Sequence, residues 1–207
     1  MSRFARGLVF VAWLFAAAPA ASASGGAGAE AALASLRAAM SDVQSVSGRF
    51  LQEKRIEFLN EPVVSRGVFY FARPDYLWWE YTGPVCSGLE MEGGRVRAWT
   101  GPPQARLRQP EALNRAAAAA AGQIMLWMNL EPERIAAAYE VEAAEERPLA
   151  LWARPRRAGA AGIIEAVQIE FSADRRAARR VTLFETGGTN VLTFEAVVFN
   201  QARPVRP

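Results

Sequence analysis

The sequence predicts a mainly β protein with helices (α+β): a single curved antiparallel sheet forming an incomplete β-barrel, closed by helices around an apolar cavity. Three observations lead there. After residue 45 the hydrophobic pattern alternates over ten short runs, the connections between those runs carry turn residues, and only two segments show helical spacing. A sheet that large with two helices to cover it has a wide concave face and few residues to fill it.

Taken in order, Arg3 and Arg6 precede an apolar run from Gly7 to Ala18, and Ala21-Ser22-Ala23 supplies small residues for cleavage. Residues 1–23 therefore read as a signal peptide, and residues 24–207 as one exported domain. Removing that leader takes two of the 24 basic and none of the 21 acidic residues, leaving 22 against 21. Lys54 is the only lysine, and the arginine and alanine content reads as coding bias, so no nucleic-acid partner is expected. Leu33, Leu36, Met40 and Val43 recur at helical spacing. Strands follow at Val46–Phe58, Gly67–Ala72, Tyr76–Tyr81, Ser87–Glu92 and Arg95–Trp99, with turns at Arg73-Pro74-Asp75 and Gly93-Gly94. An alanine-rich helical segment runs from Glu111 to Gly122 and continues apolar through Ile124 to Met128. Strands resume at Ala138–Glu145, Leu149–Arg154, Ile163–Phe171, Arg179–Glu185 and Asn190–Phe199, the last two joined by a Gly187-Gly188 hairpin.

The inventory of reactive groups excludes much catalytic chemistry. With no histidine and one cysteine, Cys86, the chain cannot build a Ser-His-Asp or Cys-His site, a thiolate cluster or an internal disulfide, and no metal or cofactor is expected. Cys86 reads as a small residue packed at a strand start. Glu90 with Glu92, and Glu140 with Glu142, read as outer strand faces.

The stretch Arg66-Gly-Val-Phe-Tyr-Phe-Ala-Arg-Pro-Asp-Tyr-Leu-Trp-Trp-Glu-Tyr81 is the densest feature. As a hairpin it places Phe69 and Phe71 on one face with Arg73, and Leu77, Trp79 and Tyr81 on one face with Trp78 and Glu80 opposite. Such a face is either core beneath a helix or the lining of an apolar binding site.

These residues also resemble a family. Ser45-Val-Ser-Gly-Arg-Phe-Leu-Gln52, Ser65-Arg-Gly-Val-Phe-Tyr-Phe71, the Arg73-Pro74 turn with its aromatic strand, Glu92-Gly-Gly-Arg95 before Trp99, the Ile124–Met128 segment and the late Phe199-Asn200 together look like the LolA family of periplasmic outer-membrane lipoprotein carriers. The resemblance implies a monomeric, non-enzymatic protein of the periplasm. Its cargo would be an acylated lipoprotein or other lipid, and its partners an inner-membrane transporter and an outer-membrane acceptor. It also implies an acyl-binding interior. The candidates are Phe69, Phe71, Leu77, Trp79 and Tyr81 of the hairpin, Trp99 of a later strand, Leu36 and Met40 of the first helix, and Met125 and Leu126 of the second. Arg73 falls on the family's arginine that holds the lid shut. The family's further Phe-containing strand is not found after Asn200, and Cys86 and the alanine run depart from its pattern. A lipid-binding or biosynthetic protein, even an enzyme, on the same half-barrel is the alternative, as is a sensor domain of the kind that regulates sigma-factor signalling.

Overall fold

The computed structural model describes residues 27–146, 148–156 and 164–204; the leader expected over residues 1–23 lies outside them. Helix α1 (Ala27–Ala39) precedes five strands: β1 (Ser45–Ile56), β2 (Val63–Ala72), β3 (Tyr76–Gly83), β4 (Ser87–Glu92) and β5 (Arg95–Thr100). A 3₁₀ turn at Pro103–Ala105 leads to a two-residue strand, β6 (Leu107–Arg108), and then to α2 (Glu111–Asn129) and α3 (Pro132–Ala138). The chain finishes with β7 (Tyr139–Glu146), β8 (Leu149–Pro155), β9 (Ile164–Phe171), β10 (Ala178–Glu185) and β11 (Gly188–Phe199).

All eleven strands form one open antiparallel sheet in the order β6-β5-β4-β3-β2-β1-β11-β10-β9-β8-β7. It consists of two meanders, joined where the first and last strands pair from Val46↔Phe199 to Ile56↔Gly188. The fold class is therefore as the sequence predicts: a mainly β half-barrel with helices. The alanine-rich and apolar segments form the single helix α2, as the sequence reads. Two details differ. Pro132–Ala138 is a third helix, so β7 starts at Tyr139 instead of Ala138. The eleventh strand, β6, is too short and too exposed to leave an alternating signal.

Local chemistry explains the elements. In α1, Ala29, Ala32, Leu33, Leu36 and the following Met40 and Val43 are buried along one stripe, with Glu30 in the first turn and Arg37 in the last, each favourable to the helix dipole. In α2, Ala117, Ala121 and Met125 lie four apart on the buried side, and alanine there brings the helix axis close to β5. Leu130 ends α2 in the left-handed region at φ 48°, and Pro132 prevents continuation. Gly67 is needed where it stands: a Cβ there would overlap the ring of Phe50, which lies across β2.

Candidate functional site

The sheet register decides which aromatic residues meet. Phe69 pairs with Trp79, Phe71 with Leu77 and Tyr70 with Trp78, so the hairpin presents one face to the helices and the other away from them. On the inner face Phe50 stacks on Trp79 with ring centres 4.2 Å apart, Phe194 meets Phe69 edge-on at 5.3 Å, and Tyr81 meets Phe50 edge-on at 5.2 Å. Leu36, Met40, Met125 and Leu126 of the helices belong to the same buried cluster as Phe69, Phe71, Leu77 and Trp79, with Tyr81 packed at its edge. Nine of the ten expected lipid-contacting residues are thus brought together, and in this conformation they fill one another's space.

Trp99 is the tenth, and it is elsewhere. It lies in a second cluster on the outer face with Tyr70, Tyr76 and Trp78. Alternation along β5 buries Val96 and Ala98 inward and sends Trp99 outward with Arg95 and Arg97. The outer cluster is edged with charge. Arg106 lies 5.1 Å from the Trp78 ring and 4.9 Å from the Trp99 ring while pairing with Glu80 at 2.8 Å. Between these groups and residues 201–204 a groove of about 420 Å³ opens, lined by Ser47, Val68, Tyr70, Trp78, Arg106 and Pro204 among others.

Arg73 is half-buried at the hairpin turn, and its Nε is enclosed with no hydrogen-bond partner. The bond joining this turn to α2 belongs to its neighbour: Asn129, the last residue of the helix, donates from Nδ2 to the Pro74 carbonyl at 2.9 Å. At the same end of the sheet Asn200 adopts φ 55° and caps the start of β1. Its Oδ1 accepts from the Gln44 and Ser45 amides at 2.7 and 3.3 Å, and its Nδ2 donates to the Asp42 carbonyl at 3.0 Å. That knot turns residues 201–204 back over the outer face, where Tyr70 Oη donates to the Gln201 carbonyl at 3.1 Å. Glu90, expected on a solvated face, is instead shielded, holding Arg97 and Arg203 and accepting from Tyr76 Oη. Cys86 is half-buried just before β4, its Sγ 3.6 Å from the Thr82 carbonyl. Among the described residues no cluster of acidic or cysteine side chains has the makings of a metal site.

The family described as outer membrane lipoprotein carrier protein LolA matches residues 41–204, from the end of the first helix to the strap over the outer face. The chain belongs to the LolA family. No curated protein sequence matches it. Among solved structures, MucB in its complex with MucA from Pseudomonas aeruginosa superposes with a TM-score of 0.51 at 14% identity, over 86% of this chain and 59% of that one. Lipoprotein LppX from Mycobacterium tuberculosis matches at 0.45 and 12% identity, over 85% and 98% of the two chains. A LolA superfamily protein from Nitrosomonas europaea matches at 0.41 and 8%, over 86% and 96%. At these identities the likeness to MucB is one of fold alone.

Sequence reasoning left out Phe50 and Phe194, which complete the inner aromatic cluster, and Asn129. Phe50 was findable, since it shares strand parity with Val46 at the start of β1. Asn129 was not, because its partner is a backbone carbonyl 55 residues away in sequence.

Proposed function

We propose that this protein is a periplasmic carrier that takes up the acyl chains of lipoproteins, or of a related lipid, between its sheet and its helices and moves them from the inner to the outer membrane. The observation that supports this reading is the chemistry of the inner face within a LolA-family half-barrel. Phe50, Phe69, Phe71, Leu77 and Trp79 face Leu36, Met40, Met125 and Leu126 with no charged group among them. An acyl chain asks for dispersion contacts and exclusion of water, worth roughly 0.8 kcal/mol per buried methylene, and flat aromatics with pliant methionines supply both.

Because the inner side chains fill one another's space, loading requires α2 to lift from the hairpin. At the hairpin the polar tie to break is the Asn129–Pro74 bond, while Asn114 and Gln123 tie the same helix to β5 and β7. Arg73 lies beside it with its Nε enclosed and unpartnered, so in the closed form the latch is Asn129 and the arginine acts once the cover moves. When lipid departs, the helices return to the aromatic face and the closed, empty state is regained without an external energy source.

The test is titration of the mature protein with a fluorescent long-chain acyl probe, followed by transfer of labelled lipoprotein to acceptor membranes. Binding should be saturable. Trp79→Leu should weaken it about tenfold and Trp78→Leu less than twofold, since the two side chains leave opposite faces of β3. Absence of saturable binding, or equal effects of the two substitutions in folded proteins, defeats the carrier reading.

A further inference from the structure

The inward-facing side chains change character toward one end of the sheet, on four strands together. On β1 the series Val46, Phe50 gives way to Gln52 and Lys54. On β11, Phe194 and Leu192 give way to Asn190, and on β10, Val181 and Leu183 give way to Glu185. On β3, Leu77 and Trp79 are followed by the phenol of Tyr81. The register holds these changes side by side, with Lys54 opposite Asn190 and Asn190 opposite Leu183. They are linked as well as adjacent. Tyr81 Oη donates to Gln52 Oε1 at 2.6 Å, Gln52 Nε2 donates to Asn190 Oδ1 at 2.9 Å, and Lys54 Nζ pairs with Glu185 Oε2 at 2.9 Å.

This cluster is not a solvated rim. The Glu185 side chain is 5% exposed, that of Lys54 is 20% exposed, and Asn190 is 4% exposed. The chain's only lysine is spent here, on a carboxylate that would otherwise be buried alone. One acceptor in the cluster is nevertheless left over: Glu185 Oε1 is enclosed and has no hydrogen-bond partner. A buried carboxylate oxygen without a donor is costly and uncommon, and it marks a place where a donor from elsewhere fits.

We infer that this cluster receives the hydrogen-bond-donating head of the bound acyl ligand, an amide N–H or a hydroxyl at the chain's polar end, on Glu185 Oε1, while the chain runs along Trp79 and Phe69. The inference rests on the carrier reading above and adds to it the polar chemistry of the cargo. Lys54 already neutralises Glu185, so the pair offers no net charge to attract an ammonium group. An anionic carboxylate would face the uncovered oxygen and be repelled. A neutral donor satisfies the oxygen without adding charge.

The experiment displaces a fluorescent acyl probe from the mature protein with three competitors of one chain length: a primary fatty amide, the fatty-acid methyl ester, which has no donor, and the fatty-acid anion. Wild type should prefer the amide over the ester about tenfold, the scale of one hydrogen bond to a charged acceptor. The double variant Lys54→Met with Glu185→Met exchanges the whole pair for apolar groups, a change that buried pairs tolerate. It should bind the ester within twofold of wild type and prefer the amide less than twofold. Glu185→Gln is the second variant, for which the preference should drop at least about threefold. Equal binding of amide and ester by wild type, or a preference that survives in the variants, overturns the headgroup site and leaves the carrier reading standing. Failure of all three competitors and of the probe to bind overturns both.

Discussion

The two faces of the β2–β3 hairpin use similar residues under different covers. Inside, Phe69, Phe71 and Leu77 are pure hydrocarbon and Trp79 adds one indole nitrogen, all under the helices. Outside, Tyr70, Tyr76, Trp78 and Trp99 all carry a heteroatom, and they lie under arginines and two chain segments. Arg106 covers the indoles and Arg203 sits 3.8 Å from the Tyr76 ring centre, each held by carboxylates. Both faces are buried, so burial does not tell them apart. The covers do. The inner one meets the hairpin through apolar side chains and one side-chain bond, its other polar ties running from Asn114 and Gln123 to β5 and β7, so at the hairpin it can be exchanged for lipid; the outer one is fastened there by directional bonds that a lipid cannot replace.

The largest effect should come from thinning the inner layer. Leu77 is fully buried, and Leu77→Ala should cost about 3 kcal/mol in denaturant unfolding. On the outer face, Tyr70→Phe removes only the bond to the Gln201 carbonyl and should cost about 1 kcal/mol. Equal losses would dissolve the distinction between the faces. Next in size is Arg106→Ala, which takes the stacked guanidinium from two indoles and the partner from a largely buried Glu80; about 1–2 kcal/mol is expected. Arg106→Lys should recover little, because an ammonium cannot lie flat over the rings. Full recovery would mean that charge alone fastens the outer cover.

The parity of the hairpin was legible because period-2 alternation survives in strands with strong aromatic weighting. The same rule places Trp99 outward with Arg95 and Arg97, although the family resemblance grouped it with the inner residues. The Lys54 position was legible too, since it shares the face of Phe50 and Gln52. Its partner was not: Glu185 lies two strands away across β11, a neighbour set by long-range pairing that no local pattern announces. Helix α3 was obscured by its length of seven residues, although Pro132 at its start was a signal. The strap over residues 201–204 depends on the turn at Asn200, whose left-handed backbone is held by contacts 155 and more residues away.

Alkaline pH separates the buried phenols of the inner cluster from the rest. Burial raises the Tyr81 hydroxyl above its ordinary 10 and pushes Tyr139, which donates to Gln123 at 2.7 Å, up to about 12. The folded chain therefore holds these protons more tightly than the unfolded one. Their stabilising contribution is complete below pH 10 and is lost as pH climbs toward 12. For Tyr139 alone the loss by pH 10.5 is roughly 1 kcal/mol. Tyr139→Phe should lower the melting temperature at pH 8 but flatten its fall between pH 9 and 10.5. A variant as steep as wild type would show that the fall comes from other groups.

The smallest effect should come from the strap. Arg203 bonds Glu92 at 2.8 Å and Glu90 at 2.9 Å and lies over Tyr76, and the Glu92 hydrogen bond raises its pKa further from neutrality. Yet its side chain is 46% exposed, so water and salt compete for every one of those contacts. Arg203→Ala should cost less than about 1 kcal/mol at low ionic strength. In 0.5 M salt, where screening acts over only a few ångströms, the cost should shrink toward zero. Acyl-probe affinity should not change, because the strap lies on the face away from the inner cluster. A salt-independent loss as large as that of Arg106→Ala would make the strap an integral part of the outer cover. Altered probe affinity would mean that the two faces are coupled through the hairpin.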